Sequence, residues 1–125
     1  MRLGVLTAAA MLAAAGVTPS GTAQAGDAAR GRELYAQCQA CHSLDGENGV
    51  GPTLKGVMGR RAGAIAEFRY SPAMRRAGVV WDAGSLDGFL ADPQAVVRGN
   101  RMPFGGVEEA RDRADILAWL AEAAK

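Results

Sequence analysis

Side chains that bind metals or act as nucleophiles are scarce in this 125-residue sequence, which contains two cysteines and a single histidine. The charges nearly cancel, with 14 lysines and arginines against 13 aspartates and glutamates. The chain therefore lacks the basic excess of a nucleic-acid-binding domain. It also lacks, beyond its first segment, the run of about 18 apolar residues that marks a membrane span. With 49% apolar and 22% charged residues, the composition is that of one globular domain.

The first 25 residues have the layout of a secretory signal. They begin with one charge at Arg2, continue with an apolar stretch and end in small residues around Ala25. The alternative is an uncleaved anchor, but the apolar stretch of about 15 residues is shorter than the roughly 20 that a bilayer requires. We therefore predict a signal peptide over residues 1–25, a mature domain over residues 26–125, a periplasmic location and no stable membrane insertion after cleavage.

Alternation of apolar and polar residues, which would indicate strands, is missing as well. Helical spacing and capping residues instead predict four helices, and dense glycines predict a long loop over residues 43–66. The predicted helices cover residues 27–40, 72–77, 85–91 and 109–123. The fold class is all-α. Because a mature chain of this size with short helices has a limited core, we expect another group to fill its middle.

The two cysteines and the histidine lie within five consecutive residues. Cys38, Cys41 and His42 form a Cys-x-x-Cys-His pattern, which is typical of covalent attachment of a c-type haem. Two thiols at this spacing can each form a thioether with a haem vinyl group, and the adjacent imidazole can then bind the iron.

Three other interpretations of this motif are weaker. A thioredoxin-like redox pair needs a βαβ pattern, which the sequence lacks. A zinc site needs four ligands, and these three residues leave it one short unless a carboxylate joins. A disulfide between Cys38 and Cys41 would explain neither the adjacent His42 nor the missing filler of the core. Haem attachment is favoured because the motif is specific for it and because export supplies the compartment that it needs.

With His42 as one axial ligand, no second histidine remains for the other side of the iron. Methionine is then the expected sixth ligand, and the candidates are Met58, Met74 and Met102. Met102 is favoured because the turn-rich segment around it can present a side chain inward. Met58 is the second candidate and Met74 the third, and each of the three could instead be core filler.

The sequence resembles the class I cytochromes c, specifically the small soluble monohaem group of bacterial and mitochondrial type. The resemblance covers nearly all of residues 26–125, and its landmarks follow the order of the family. They are Gly31, Tyr35, Gly51-Pro52-Thr53-Leu54, Gly56-Val57-Met58-Gly59-Arg60, Phe68-Arg69-Tyr70-Ser71-Pro72-Ala73-Met74, Trp81, Met102-Pro103-Phe104 and Trp119-Leu120. The resemblance implies the cytochrome c fold, with short helices and glycine-rich loops around one haem c bound through Cys38 and Cys41.

The resemblance also implies roles for individual residues. Met102 matches the axial methionine, and Pro52 matches the proline whose carbonyl accepts a hydrogen bond from the proximal histidine. Other matches are expected to bind the haem propionates or to pack against the ring. The propionate residues are Arg60, Tyr70 and Trp81, and the packing residues are Leu54, Leu90 and Phe104.

Some of these matches have plainer interpretations. Tyr70 and Trp81 can equally be ordinary aromatic core, and Phe104 can be a loop aromatic buried for stability. Gly31 matches a position where the first and last helices cross closely. One departure stands out: Phe89 occupies a position where many relatives have a tyrosine that hydrogen-bonds near the axial methionine. Phenylalanine cannot donate that bond.

The function implied is a one-electron carrier of an electron-transport or respiratory chain, not an enzyme. We expect a monomer that docks transiently with redox proteins near the haem edge, over less than about 1,200 Å². Positive charge in the middle of the chain favours acidic partners, and the alternative is an ordinary solvated surface with no net field. Eight basic residues lie there, Lys55, Arg60, Arg61, Arg69, Arg75, Arg76, Arg98 and Arg101, against four acidic ones. Two alternatives stay open: a dedicated haem subunit of a dehydrogenase or oxidase, and a haem protein with a labile sixth site that binds small ligands or reduces peroxide.

Overall fold

The computed structural model describes Gly4 and residues 8–16 and 26–125. The predicted cleavage point after Ala25, and the polar bend before it, lie outside the described residues. Within the described ranges, no helix is long and apolar enough to cross a membrane.

The described part of the chain is helical, and its β pairing is limited to an isolated antiparallel bridge between Arg61 and Val80. The all-α prediction is therefore confirmed, and residues 43–66 form a loop as expected. The helices are α1 (Ala28–Leu34), α2 (Ala36–Gln39), α3 (Pro72–Arg76), α4 (Ala83–Ala91), α5 (Pro93–Val96) and α6 (Ala110–Ala123).

The first predicted helix is interrupted at Tyr35, which separates α1 from α2. Asp27 caps α1 as expected, because its side chain accepts a hydrogen bond of 3.1 Å from the Arg30 N–H. After Tyr35 the backbone tightens, and the Cys38 N–H donates to the Tyr35 carbonyl three residues back at 2.8 Å. The buried Tyr35 hydroxyl donates to the His42 carbonyl at 2.7 Å, and burial raises the pKa of Tyr35 to about 12. This contact ties the end of α1 to the residues that follow α2.

Local capping explains the middle helices. Ser71 caps α3 with Pro72 at its first position, as predicted, and the side chain of Ser71 accepts from the Met74 N–H at 3.0 Å. Helix α4 begins earlier than predicted because Asp82 and Ser85 form a reciprocal capping box. The sequence did not predict α5, which begins immediately after α4 because the side chain of Asp92 caps it.

Helices α1 and α6 cross closely at Gly31. A Cβ atom at Gly31 would lie 1.9 Å from the Asp115 carbonyl oxygen, so only a residue without a side chain permits this approach. The buried Asp115 carboxylate accepts from the Asp27 N–H at 2.7 Å and from Arg30 at 2.6 Å. The Asp27 N–H, followed by Arg30, lowers the pKa of Asp115. The expected role of Gly31 in this crossing is confirmed, and the pair of helices forms the frame that holds the two ends of the domain together.

Replacing Gly31 tests the importance of this crossing. We expect Gly31→Ala to lower the free energy of unfolding by about 1–3 kcal/mol or more, because the added methyl group must push the two helices apart. Chemical denaturation of the purified protein measures this change. Gly84→Ala is the matched control, since Gly84 lies exposed in α4 and its added Cβ meets only ordinary contact at 3.5 Å. Equal stability of Gly31→Ala and the unmodified protein would contradict the account of the crossing.

Candidate functional site

The interior contains a cavity of about 450 Å³. One wall is apolar and consists of side chains from α4 and α6: Leu86, Phe89, Leu90, Ile116 and Leu120. These residues belong to the hydrophobic core of the domain, so the core itself opens onto the cavity. A space of this size and lining is typical of a site for a small molecule or cofactor.

All the site residues predicted from the sequence line this cavity. They are Cys38, Cys41, His42, Pro52, Leu54, Arg60, Tyr70, Trp81, Leu90, Met102 and Phe104. These residues come from α2, α4 and three loop regions, so the fold brings together positions that are up to 66 residues apart in the sequence. Their placement makes the assigned roles geometrically possible.

Helix α2 and the turn after it present the two cysteines. The Cys41 and His42 N–H groups both donate to the Cys38 carbonyl, at 3.1 and 3.0 Å, and this turn keeps the three side chains on the cavity. No disulfide joins the two cysteines, and both side chains are half-buried. Burial raises the pKa of Cys38 above its ordinary value, and the neighbouring Cys41 adds to the shift.

The His42 imidazole is held between two successive residues. Its Nδ1 lies 2.7 Å from the Pro52 carbonyl oxygen, which can only accept, so Nδ1 carries the proton and Nε2 keeps its lone pair. A Cβ atom at Gly51 would lie 2.5 Å from Cε1 of the ring. Burial lowers the pKa of His42, which favours the neutral imidazole that binds metals. Gly51 and Pro52 therefore cradle the His42 ring in an orientation that would allow Nε2 to bind a metal.

A buried threonine to which the sequence analysis assigned no role, Thr53, organises the loop around this cradle. The Thr53 hydroxyl oxygen accepts from the backbone N–H groups of Gly46 and Lys55, each at 3.2 Å. The Thr53 N–H donates to Oδ1 of Asn48 at 3.0 Å. These bonds replace regular secondary structure in the loop. Their partners lie up to seven residues away, and no short motif in the sequence marks them.

Positively charged side chains are concentrated at the cavity. Arg60, Arg69 and Arg101 line it, and no aspartate or glutamate does so among the described residues. The Arg60 guanidinium is half-buried and donates to the Thr53 and Lys55 carbonyls, at 2.8 and 3.1 Å. Burial lowers its pKa. None of the ion pairs within the described ranges includes Arg60, so its charge suits an anionic group in the cavity.

The methionine candidates differ in position. Met102 lines the same cavity as His42, and so does Met74. Met58 packs against the core but is not among the lining residues that the structure describes. The sequence ranked Met58 above Met74, and the geometry reverses that order because α3 turns the side chain of Met74 toward the cavity.

The aromatic side chains at the cavity pack against one another, and one of them also places a hydroxyl group there. The Trp81 and Phe89 rings pack with centroids 5.0 Å apart, and both side chains are buried. Tyr70 packs edge-on against Phe68 at 4.9 Å. Its hydroxyl oxygen accepts from the Ile65 N–H at 3.3 Å, which leaves the hydroxyl hydrogen available to a group in the cavity. Phe89 adds only apolar surface at its position on the cavity wall.

The residues around the cavity fit a haem. Two cysteines without a disulfide between them and an imidazole with an available Nε2 lie beside an apolar wall, and the methionines Met74 and Met102 line the same space. The unpaired Arg60 charge suits a propionate. The residues that would hold the group are Cys38, Cys41 and His42.

Comparisons with known proteins agree with this fit. The family model for cytochrome c matches residues 28–124. The chain is 41% identical to cytochrome c2 of Rhodomicrobium vannielii over 114 residues, which cover 90% of this chain and 91% of that protein. It is 45% identical to cytochrome c2 iso-2 of Magnetospirillum fulvum over 87 residues, covering 69% and 91% of the two chains.

A solved structure extends the agreement to the fold. Cytochrome cH from Methylobacterium extorquens is 43% identical and superposes with a TM-score of 0.74, over 77% of this chain and 98% of that one. The predicted cytochrome c fold and the haem c bound through Cys38 and Cys41 are thereby confirmed. The relatives are electron carriers and not enzymes. The chain belongs to the cytochrome c family, in its class I monohaem group.

Proposed function

We propose that this chain is a one-electron carrier in which His42 and Met102 are the two axial ligands of the haem iron. The observation that carries the proposal is that the imidazole of His42 and the sulfur-bearing side chain of Met102 line one cavity together with both cysteines. The bound haem supplies a ferric and ferrous couple. With protein ligands on both axial positions, no open coordination site remains for a substrate, so electron transfer is the reaction that the site supports.

The residues around the iron ligands adapt the site to this task. The Pro52 carbonyl accepts the Nδ1 proton of His42, which fixes the ring orientation and makes Nε2 a stronger donor. The apolar wall of α4 and α6 excludes water, which limits solvent reorganisation when the charge changes. A methionine ligand raises the reduction potential relative to two nitrogen ligands. We assign Arg60, Tyr70 and Trp81 to the propionates and Leu54, Leu90 and Phe104 to the ring.

The arginines at the cavity support a proposal about partners. Arg69 and Arg101 are exposed where they line the cavity, so they give its mouth a positive charge. A positive surface steers acidic redox partners toward the haem edge and accelerates their encounter. We propose that the protein acts as a monomer and that docking is transient, as it must be for a carrier that releases each partner after one electron.

The sequence of the first segment supports a proposal about location. Residues 1–25 are read as a cleaved secretory signal and residues 26–125 as the mature haem domain, in the periplasm and in a respiratory chain. Export also supplies the compartment in which c-type haem is attached to cysteine thiols.

Substitution of the methionines tests the axial ligation. We expect the oxidised protein to show the weak sulfur-to-iron absorption band at the red edge of the visible spectrum. Met102→Ala should abolish this band, whereas Met74→Ala and Met58→Ala should retain it. Met74 is the sharper control, because it lines the same cavity. Absence of the band from the unmodified protein, together with ready binding of carbon monoxide by the reduced form, would contradict the proposal and favour a labile sixth site.

Ionic strength tests the steering by positive charge. We expect the rate of oxidation by the hexacyanoferrate anion to fall several-fold between about 0.01 and 0.1 M salt, where the screening length shortens from about 30 to 10 Å. Stopped-flow absorbance measures this rate. Arg69→Gln should weaken the salt dependence, whereas Arg111→Gln, on the exposed surface of α6, should leave it close to that of the unmodified protein. A rate that does not change with salt would remove the steering proposal.

A further inference from the structure

Asn100 is one of the few buried polar side chains of the domain, with 7% of its surface exposed. Its amide nitrogen donates to the Pro93 carbonyl at 3.0 Å and to the Val97 carbonyl at 2.9 Å. Its amide oxygen accepts from the Met102 N–H at 2.9 Å. Both donor hydrogens and the acceptor of the side chain are therefore used within one small region.

The hydrogen bond to Met102 forms an Asx-turn, in which a side-chain oxygen fixes the backbone two residues later. This turn is anchored to α5. The amide nitrogen of Asn100 donates to the carbonyl of Pro93, in α5, and to the carbonyl of Val97, which follows α5. No helix is present between α5 and α6 to hold this segment. Gly99 precedes the turn with a φ of +92°, a conformation that depends on glycine. The backbone position of Met102 thus depends largely on one side chain.

We propose that Asn100 is a positioning residue for the axial methionine, holding the backbone of Met102 so that its sulfur faces the iron. The proposal rests on the assignment of Met102 as the sixth ligand. In physical terms, Asn100 determines the fraction of molecules in which the loop that carries Met102 is open. Loss of the side chain raises that fraction, and an external ligand then competes better for the iron.

Gln94, which lies in α5, provides a comparison because its side chain bonds to the same turn. Its side chain donates to the Asn100 carbonyl at 2.9 Å and accepts from the Gly99 N–H at 3.0 Å. Gln94 is exposed and makes neither of these bonds to Met102. Removing Gln94 therefore perturbs the same turn without releasing the methionine backbone.

Four variants of the haem-loaded protein test the proposal: Asn100→Ala, Asn100→Thr, Gln94→Ala and Asp115→Asn. For each, the sulfur-to-iron band of the oxidised protein is recorded, imidazole binding to the oxidised protein is titrated, and thermal unfolding is followed. Asp115→Asn is the stability control, because the Asp115 carboxylate accepts hydrogen bonds from Asp27 and Arg30 at the crossing of α1 and α6, and Asp115 does not line the cavity.

In Asn100→Ala we expect a weakened or absent band and imidazole binding that is tighter by about tenfold or more, as the loss of several buried hydrogen bonds predicts. Asn100→Thr should recover part of both properties, because a threonine hydroxyl can form a weaker turn of the same kind. Gln94→Ala and Asp115→Asn should stay within about twofold of the unmodified protein in imidazole binding. Asp115→Asn should nevertheless unfold at a lower temperature.

The outcomes separate this inference from the proposed function. If the unmodified protein shows the band and Met102→Ala removes it, Met102 is the ligand. Asn100→Ala with an unchanged band and unchanged imidazole binding would then overturn only the role of Asn100. If Asn100→Ala does not fold, Asn100→Thr decides: a band and an imidazole affinity equal to those of Asp115→Asn would also overturn the role. A missing band in the unmodified protein would instead overturn the axial assignment itself.

Discussion

Covalent attachment through Cys38 and Cys41 is the constraint on which the rest of this molecule depends. Two thioethers fix the haem relative to α2 and the turn after it, and His42 follows directly, so its ring must lie against the cavity wall. This explains why a glycine and a proline line the cavity beside the imidazole ring. Gly51 leaves room for the imidazole ring, and the Pro52 carbonyl 2.7 Å from Nδ1 fixes its orientation.

The two proposed iron ligands are positioned by loops that have no regular secondary structure. Buried polar side chains hold these loops in place. Hydrogen bonds of Thr53 hold the loop next to His42, and a hydrogen bond of Asn100 fixes the loop that carries Met102. The end of that second loop is tied down as well, because Arg113 donates to the Val107 carbonyl at 2.9 Å and to the Asp87 carboxylate at 2.8 Å. Buried backbone groups need partners, and in these loops side chains provide them. Long loops can then hold ligands in place while the helices remain short.

The sequence predicted those features whose physical causes are local. The Cys-x-x-Cys-His motif, the caps at Asp27 and Ser71 and the glycine-rich loop each depend on neighbouring residues, and each is present in the structure. The break at Tyr35, by contrast, accompanies a contact with His42 seven residues away. Likewise, the order of Met58 and Met74 depends on which side chain faces the cavity, and this follows from packing that spacing along the chain does not encode. The positions of Pro52, Arg60 and Trp81 came from resemblance to a family rather than from any local pattern.

The most direct test of the account is mass spectrometry of the purified protein under denaturing conditions, followed by tryptic mapping. Trypsin releases residues 33–55 as one peptide, which contains both cysteines and the histidine. We expect this peptide to retain the added mass of one haem after denaturation, because two thioether bonds survive the loss of the fold. Recovery of the peptide at its unmodified mass with two free thiols would contradict it.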